Sequence, residues 1–255
     1  MGTEQSATLT SPAKRLLKVY ERARLVEVAR GASGQDFWAS VLGVEDVSRT
    51  FEMLGLIHAL FAATFFDLRA SGLEHYIPKL EQLQIGSLGP ASLANPWPHL
   101  RERIDEAGMV TLRAASDLLT PRSNEIEVSE ETLAELRSEV IAVLERIRSD
   151  KEAGKVSVEL AERLTHHLQR ALDALDRYPL EGAIVLRATA DAGLSEVVLH
   201  HSEHQSPAER SEGVVGWQRL VGKFFKASAP FLTQQLVAGA VQGATKALVE
   251  TLMLG

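Results

Sequence analysis

The residues most able to do chemistry are the histidines. His200, His201 and His204 lie close together, with Glu196 just before them and His166-His167 one predicted helix earlier. On a helix, Glu196, His200 and His204 fall on one face at i, i+4 and i+8, a spacing that can offer a carboxylate and two imidazoles to zinc. The HExxH order of zinc proteases is missing, and no Glu-x-x-His pair of the di-iron bundle kind occurs. Histidines in the last turn of a helix also stabilise the negative end of its dipole without any metal. The expectation is therefore a chain with no metal and no cofactor, in which Glu196, His200 and His204 are the candidate ligands to test. Phosphate loops fail as well. Gly216 and Gly222-Lys223 are separated by five residues rather than four, and Phe224 stands where a magnesium ligand needs Ser or Thr.

A second constellation is Arg69-Ala-Ser-Gly-Leu-Glu-His75. It resembles the signature of the HEPN ribonucleases, an Arg followed by four to six residues and a His. The resemblance implies that Arg69 and His75 of two protomers line one cleft, bind the scissile phosphate and polarise the ribose hydroxyl. The chain departs from that pattern at Ala70, where the family carries a polar residue, and at Ser71-Gly72, which interrupts a helix between the two side chains.

The most informative segment is the C-terminus. Val214, Trp217, Leu220, Val221, Phe224 and Phe225 cover much of one helical face, and Arg219, Lys223 and Lys226 lie opposite. Basic residues opposite Trp and Phe are what a helix at a membrane interface presents. After Pro230 the chain stays apolar, and Gly239, Gly243 and Ala247 recur every four residues, a spacing that lets helices approach closely. Ala227 to Thr245 is uncharged and long enough for a bilayer span, but it contains several Ser, Thr and Gln residues and a Pro. Two alternatives stay open: this tail completes the core, or it is a releasable element for membrane contact or self-association.

The elements that must position these residues read as helices. Ser11-Pro12 starts one that runs to Gly31, with Ser as cap and Pro at the first position. From about Val44 to Ala70, Phe51, Leu54, Ile57, His58, Phe61, Phe65 and Leu68 form one broad apolar stripe, expected to be a buried core helix. Residues 84–98 read as a connector and 99–119 as one helix. Ser129 and Ser157 cap two further helices, the second ending at Tyr178-Pro179. Residues 183–199 fit either a helix, which their Ala-rich spacing favours, or a hairpin. Ser206-Pro207 opens the next element.

Composition agrees with a soluble, all-α, multi-helix bundle of about eight to ten helices with an apolar C-terminal helical tail. The 255 residues are 45% hydrophobic and 24% charged, which excludes disordered and low-complexity classes. The absence of cysteine excludes disulfides, zinc fingers and thiol nucleophiles. A net charge of −7 argues against a nucleic-acid partner. That acidity lies in the first 212 residues, because the remainder holds Arg219, Lys223, Lys226 and Lys246 against Glu250 alone. The expected organisation is an N-terminal helical region at 1–125, a second helical unit at 126–212 packed on it, and the basic, apolar helices of 213–255.

QDFWASVLGV at 35–44, LRERIDEAGMVTLRAASDLL at 100–119 and DALDRYPLEGA at 173–183 are similar to a loosely defined group of uncharacterised actinobacterial helical proteins. The resemblance implies a helical fold and no particular chemistry. The function expected from the residues is a non-catalytic interaction protein of the bacterial cytoplasm, peripheral to the inner face of the membrane when its tail is exposed. Trp217, Phe224 and Phe225 would be the apolar anchors, and Arg219, Lys223 and Lys226 would face an anionic membrane or a partner, which includes a second copy of the chain. The alternative is a helical ribonuclease or metal enzyme using Arg69/His75 or the His200 cluster.

Overall fold

The computed structural model describes residues 8–29, 31–203 and 211–228, with the side chains of 198–203 left out of the description. Within these residues the protein is all-helical apart from two two-residue strands, and it divides into two compact units at Glu125/Ile126. The sequence assignments at His204, Ser206-Pro207 and everything after Ser228 lie outside the described residues.

The first unit contains α1 (Pro12–Leu25), α2 (Gly34–Leu42), α3 (Val47–Ala70), α4 (Ile77–Leu88), α5 (Pro90–Ala94), α6 (Trp97–Arg103) and α7 (Glu106–Leu119). Strand β1 (Leu9–Thr10) pairs with β2 (Glu125–Ile126), and Arg15 bridges to Glu125 at 2.5 Å. Caps set most helix starts. Ser11 Oγ accepts from Lys14 N, with Pro12 at the first helical position. Ser33 and Asp36 form a reciprocal capping box, and Asp46 Oδ1 accepts from Arg49 N.

Two boundaries differ from the sequence expectation. α1 stops at Leu25, because the chain extends from Val26 and pairs Ser33 with Pro96. The single helix expected over 99–119 is broken at Ile104–Asp105. There Asp105 accepts from Gly108 N at 2.6 Å and from Lys79 Nζ at 2.7 Å, which starts a new helix. Those bonds, that from Lys79 first, hold the Asp105 carboxyl below the usual range. The expected connector at 84–98 is itself mostly helical, as the end of α4 and all of α5.

The core of this unit is organised around one serine. Ser87 Oγ donates to Leu83 O at 2.6 Å and accepts from the fully buried Tyr20 hydroxyl at 2.5 Å. Ser87 O accepts from Trp38 Nε1 at 3.0 Å. Tyr20 also meets Trp38 and Phe61 edge-on, so α1, α2, α3 and α4 converge there.

The second unit is built from four long helices, α8 (Glu130–Glu152), α9 (Val158–Glu181), α10 (Ala183–Glu203) and α11 (Glu212–Ser228). Ser129 and Ser157 cap α8 and α9. α9 continues through Pro179 to Glu181, although a proline there was expected to end it. Burial of Tyr178 and Leu180 and the Arg177–Glu181 ion pair at 2.7 Å hold the last turn, and Gly182, at φ 71°, turns the chain out of it. Residues 183–203 are helix, not hairpin. Their Ala183, Leu186, Ala190, Leu194 and Val197 all face the core.

Ser87→Ala keeps the carbonyl that accepts from Trp38 but removes the hydroxyl, and so leaves the Tyr20 hydroxyl without an acceptor. Urea unfolding should show a loss of about 2–3 kcal/mol for Ser87→Ala and about 1 kcal/mol for Tyr20→Phe. Equal losses would mean that the Tyr20 hydroxyl is not stranded by loss of the serine hydroxyl.

Candidate functional site

α11 carries every residue assigned to membrane or partner contact. Its N-terminus is pinned by the side chain of Asp150, which is only 6% exposed at the end of α8. Asp150 Oδ2 accepts from Gly213 N at 3.0 Å, and Lys155 approaches its other oxygen at 3.7 Å. A carboxylate at the N-terminal end of a helix also meets the positive pole of its dipole. Ser211 Oγ accepts from Val214 N and completes the start.

From there α11 lies between α8 and α10. Trp217, Phe224 and Phe225 are 2%, 2% and 3% exposed, and they share the core of this unit with Val214, Leu220 and Val221. Glycines permit the close approach. A Cβ on Gly193 of α10 would stand 2.7 Å from Val221 Cγ2, and one on Gly213 would stand 2.9 Å from Ile147 Cγ1. The Arg187 guanidinium of α10 lies 4.4 Å from the centre of the Phe225 ring. On the outer face Arg219, Lys223 and Lys226 are exposed, and Lys223 bonds to Glu139 of α8.

The apolar anchors and the basic residues thus occupy opposite faces, as their spacing predicts. The anchors are seated in the bundle and are not presented at the surface. Six such side chains contribute on the order of 10 kcal/mol of burial.

The other sequence candidates are placed as follows. Glu196, at 8% exposure, faces Arg163 at 3.3 Å and His167 at 3.6 Å. An arginine at that distance competes directly with a divalent cation. His200 lies one turn further along α10, with its side chain outside the described residues, as is His204. Among the described residues no group of three or more His, Asp or Glu side chains is close enough to hold a metal ion. Arg69 lies in the last turn of α3, and His75 sits in a short 3-10 turn (Glu74–Tyr76) stacked near Tyr76. Both are exposed, and Gly72 at φ 69° separates their elements.

His167 is a residue whose surroundings the sequence did not reveal. It lies on α9, with its ring centre 6.4 Å from that of Trp217. It lines a water-sized cavity of about 20 Å³ with Thr189, Gly193 and Leu220, too small for an organic ligand. Burial lowers its pKa, with Arg170 and His166 acting in the same direction and the Glu196 carboxylate pulling the other way.

No family model, no curated protein and no solved structure matches this chain.

Two measurements probe this arrangement. Gly193→Ala should destabilise the protein by about 1–3 kcal/mol through the collision with Val221. The double change with Val221→Ala should lose less than the sum of the two single changes, and additive losses would show that the helices do not meet there. The depressed His167 pKa means that the neutral imidazole is favoured in the folded state. Its contribution is complete above the unfolded value of about 6.5 and is lost as pH falls through the lower folded value. Urea midpoints should therefore fall on acidification below about pH 6.5, and His167→Gln should flatten that slope.

Proposed function

We propose that this protein is a non-catalytic helical interaction protein of the bacterial cytoplasm. In this proposal its C-terminal amphipathic helices mediate self-association or conditional contact with an anionic membrane at the inner face. The observation that supports it is the seating of α11. An amphipathic helix with a basic outer face lies in an apolar groove between α8 and α10, the geometry by which proteins receive a helix from a partner. In the packed state the groove is occupied by the chain's own helix.

Release of α11 exposes Trp217, Phe224 and Phe225 together with the emptied groove. Two things can then restore the lost burial. The α11 of a second copy can enter the groove, which regains the same contacts at no cost in packing. An anionic membrane can instead receive the aromatic residues while Arg219, Lys223 and Lys226 face the headgroups. Asp150 is the natural point of control, because it holds the helix start by a single buried contact.

The test uses the full chain in two parallel assays. One is flotation with vesicles of phosphatidylglycerol and phosphatidylcholine at low and moderate salt. The other is exchange between differently tagged preparations of the protein. Asp150→Ala strands the Gly213 amide, at a cost of about 1–3 kcal/mol, and should raise exchange or flotation several-fold. Reversing Arg219, Lys223 and Lys226 to Glu should abolish flotation and spare exchange. Wild-type protein that neither floats nor exchanges, with a folded Asp150→Ala variant equally inert, overturns the proposal.

A further inference from the structure

The first unit leaves one helix apolar on two sides. α3 buries Leu54, Ile57, Phe61, Phe65 and Leu68, and on its opposite side Val47, Phe51 and Phe66 are 54%, 50% and 70% exposed. Gly55, Ala59 and Ala62 are exposed between them. Single exposed apolar residues are ordinary on a protein surface. These six recur at steps of four, four, four, three and four, so they form one continuous stripe along the 24-residue helix. By length and composition α3 could cross a membrane, with a mean hydropathy of 1.5 over an 18-residue stretch. Its core-facing side is instead committed to the first unit.

Two properties of the stripe identify its partner. First, four of its six residues read alike in both directions, while Ala59 is mirrored by His58 and Val47 by Ala70. Phe51 and Phe66 are equally far from the midpoint between His58 and Ala59, and so are Gly55 and Ala62. Small residues at the centre let a second helix approach closely, and the two aromatic residues flank the crossing. An isologous contact demands this kind of self-complementarity. Second, exposed side chains of opposite sign stand at the two ends of the helix. Glu45, Asp46 and Glu52 lie exposed at the N-terminal end, where Glu52 pairs with Arg49, and Arg69 lies exposed at the C-terminal end beside the half-buried Asp67. Arg69 and Glu45 form no ion pair among the described residues. In an antiparallel pair centred on the midpoint, Arg69 of each copy falls beside the acidic end of the other, and each helix start meets a helix end. An anionic lipid surface would be repelled by that acidic end.

We propose that α3 is a dimer interface, at which two copies of this chain pair antiparallel through Val47, Phe51, Gly55, Ala59, Ala62 and Phe66. The contact is one helix against another, at the small end of specific interfaces, so the dimer is concentration-dependent and reversible. It involves neither α11 nor the chain beyond it, and it stands or falls independently of the function proposed above.

Sedimentation of the full chain between about 1 and 300 µM should show a reversible monomer–dimer equilibrium. Phe51→Ser and Phe66→Ser change exposed positions, so helicity should persist, and the double variant should weaken dimerisation at least about tenfold. The chain has no cysteine, so single cysteines report the geometry cleanly. Under mild oxidation Ala59→Cys should form a disulfide dimer. Phe51→Cys should not, because the two copies of that position lie about 22 Å apart along an antiparallel pair. Four results would overturn the proposal. They are a monomer throughout the range, a dimer indifferent to the two Phe changes, equal cross-linking at positions 51 and 59, or a stripe needed for vesicle flotation with sedimentation unchanged. The second result would place self-association elsewhere on the chain, and the fourth would assign the stripe to lipid.

Discussion

The second unit depends on the side chains that α11 inserts between α8 and α10. Val140, Val143 and Ile147 on one side and Leu186, Ala190 and Leu194 on the other are buried together with Trp217, Leu220, Val221 and Phe224. Without α11 those two rows would face water across an open groove. The helix start is fixed by Asp150 and the helix body by glycines at the points of closest approach. α11 is therefore core by its contacts, while its outer face keeps the charge pattern of an interfacial helix.

That double character decides which events are energetically reasonable. Spontaneous release would expose apolar surface worth on the order of 10 kcal/mol, comparable to the whole stability of a typical domain. A membrane must return nearly all of that in the new setting, whereas exchange with a second copy returns it in kind. Exchange is therefore the less demanding route, and membrane contact requires something that first loosens the helix start. Asp150 suits that role, because its contact to the Gly213 amide is single and buried. His167 lies near Trp217 and faces Glu196, which brings a titratable imidazole to the floor of the same groove.

Much of the helical architecture was legible in the sequence, since caps and periodicity are local. Ser11, Ser129 and Ser157 start helices where their spacing predicts, and the Ala-rich run at 183–199 is helical. The errors arise where a distant partner overrides the local signal. Pro179 stays inside a helix because Tyr178 and Leu180 are buried on either side of it. The helix expected from Ser11 to Gly31 stops early because Ser33 is drawn to Pro96, a partner no local pattern announces. Asp105 breaks a periodic segment because Lys79 and the Gly108 amide both reach it. In the candidate site, the division of α11 into an apolar and a basic face was readable. Its burial was one of two open readings, because amphipathicity shows that a face needs covering and is silent about what covers it.

The same ambiguity runs the other way in α3. Spacing places Phe51 and His58 with Leu54, Ile57, Phe61, Phe65 and Leu68 in one buried stripe, yet both are exposed. A helix of that composition has more apolar surface than a single neighbouring layer can cover, so periodicity merges two faces into one broad band. Side-chain size then separates them. The buried face is made of large residues that fill volume, and the exposed face alternates two Phe with Gly and Ala. A surface that only had to stay soluble would carry charge at those small positions, as α8 does with Glu131, Glu135 and Glu145. Small apolar residues there, bracketed by aromatic ones, fit a face against which another helix backbone comes close.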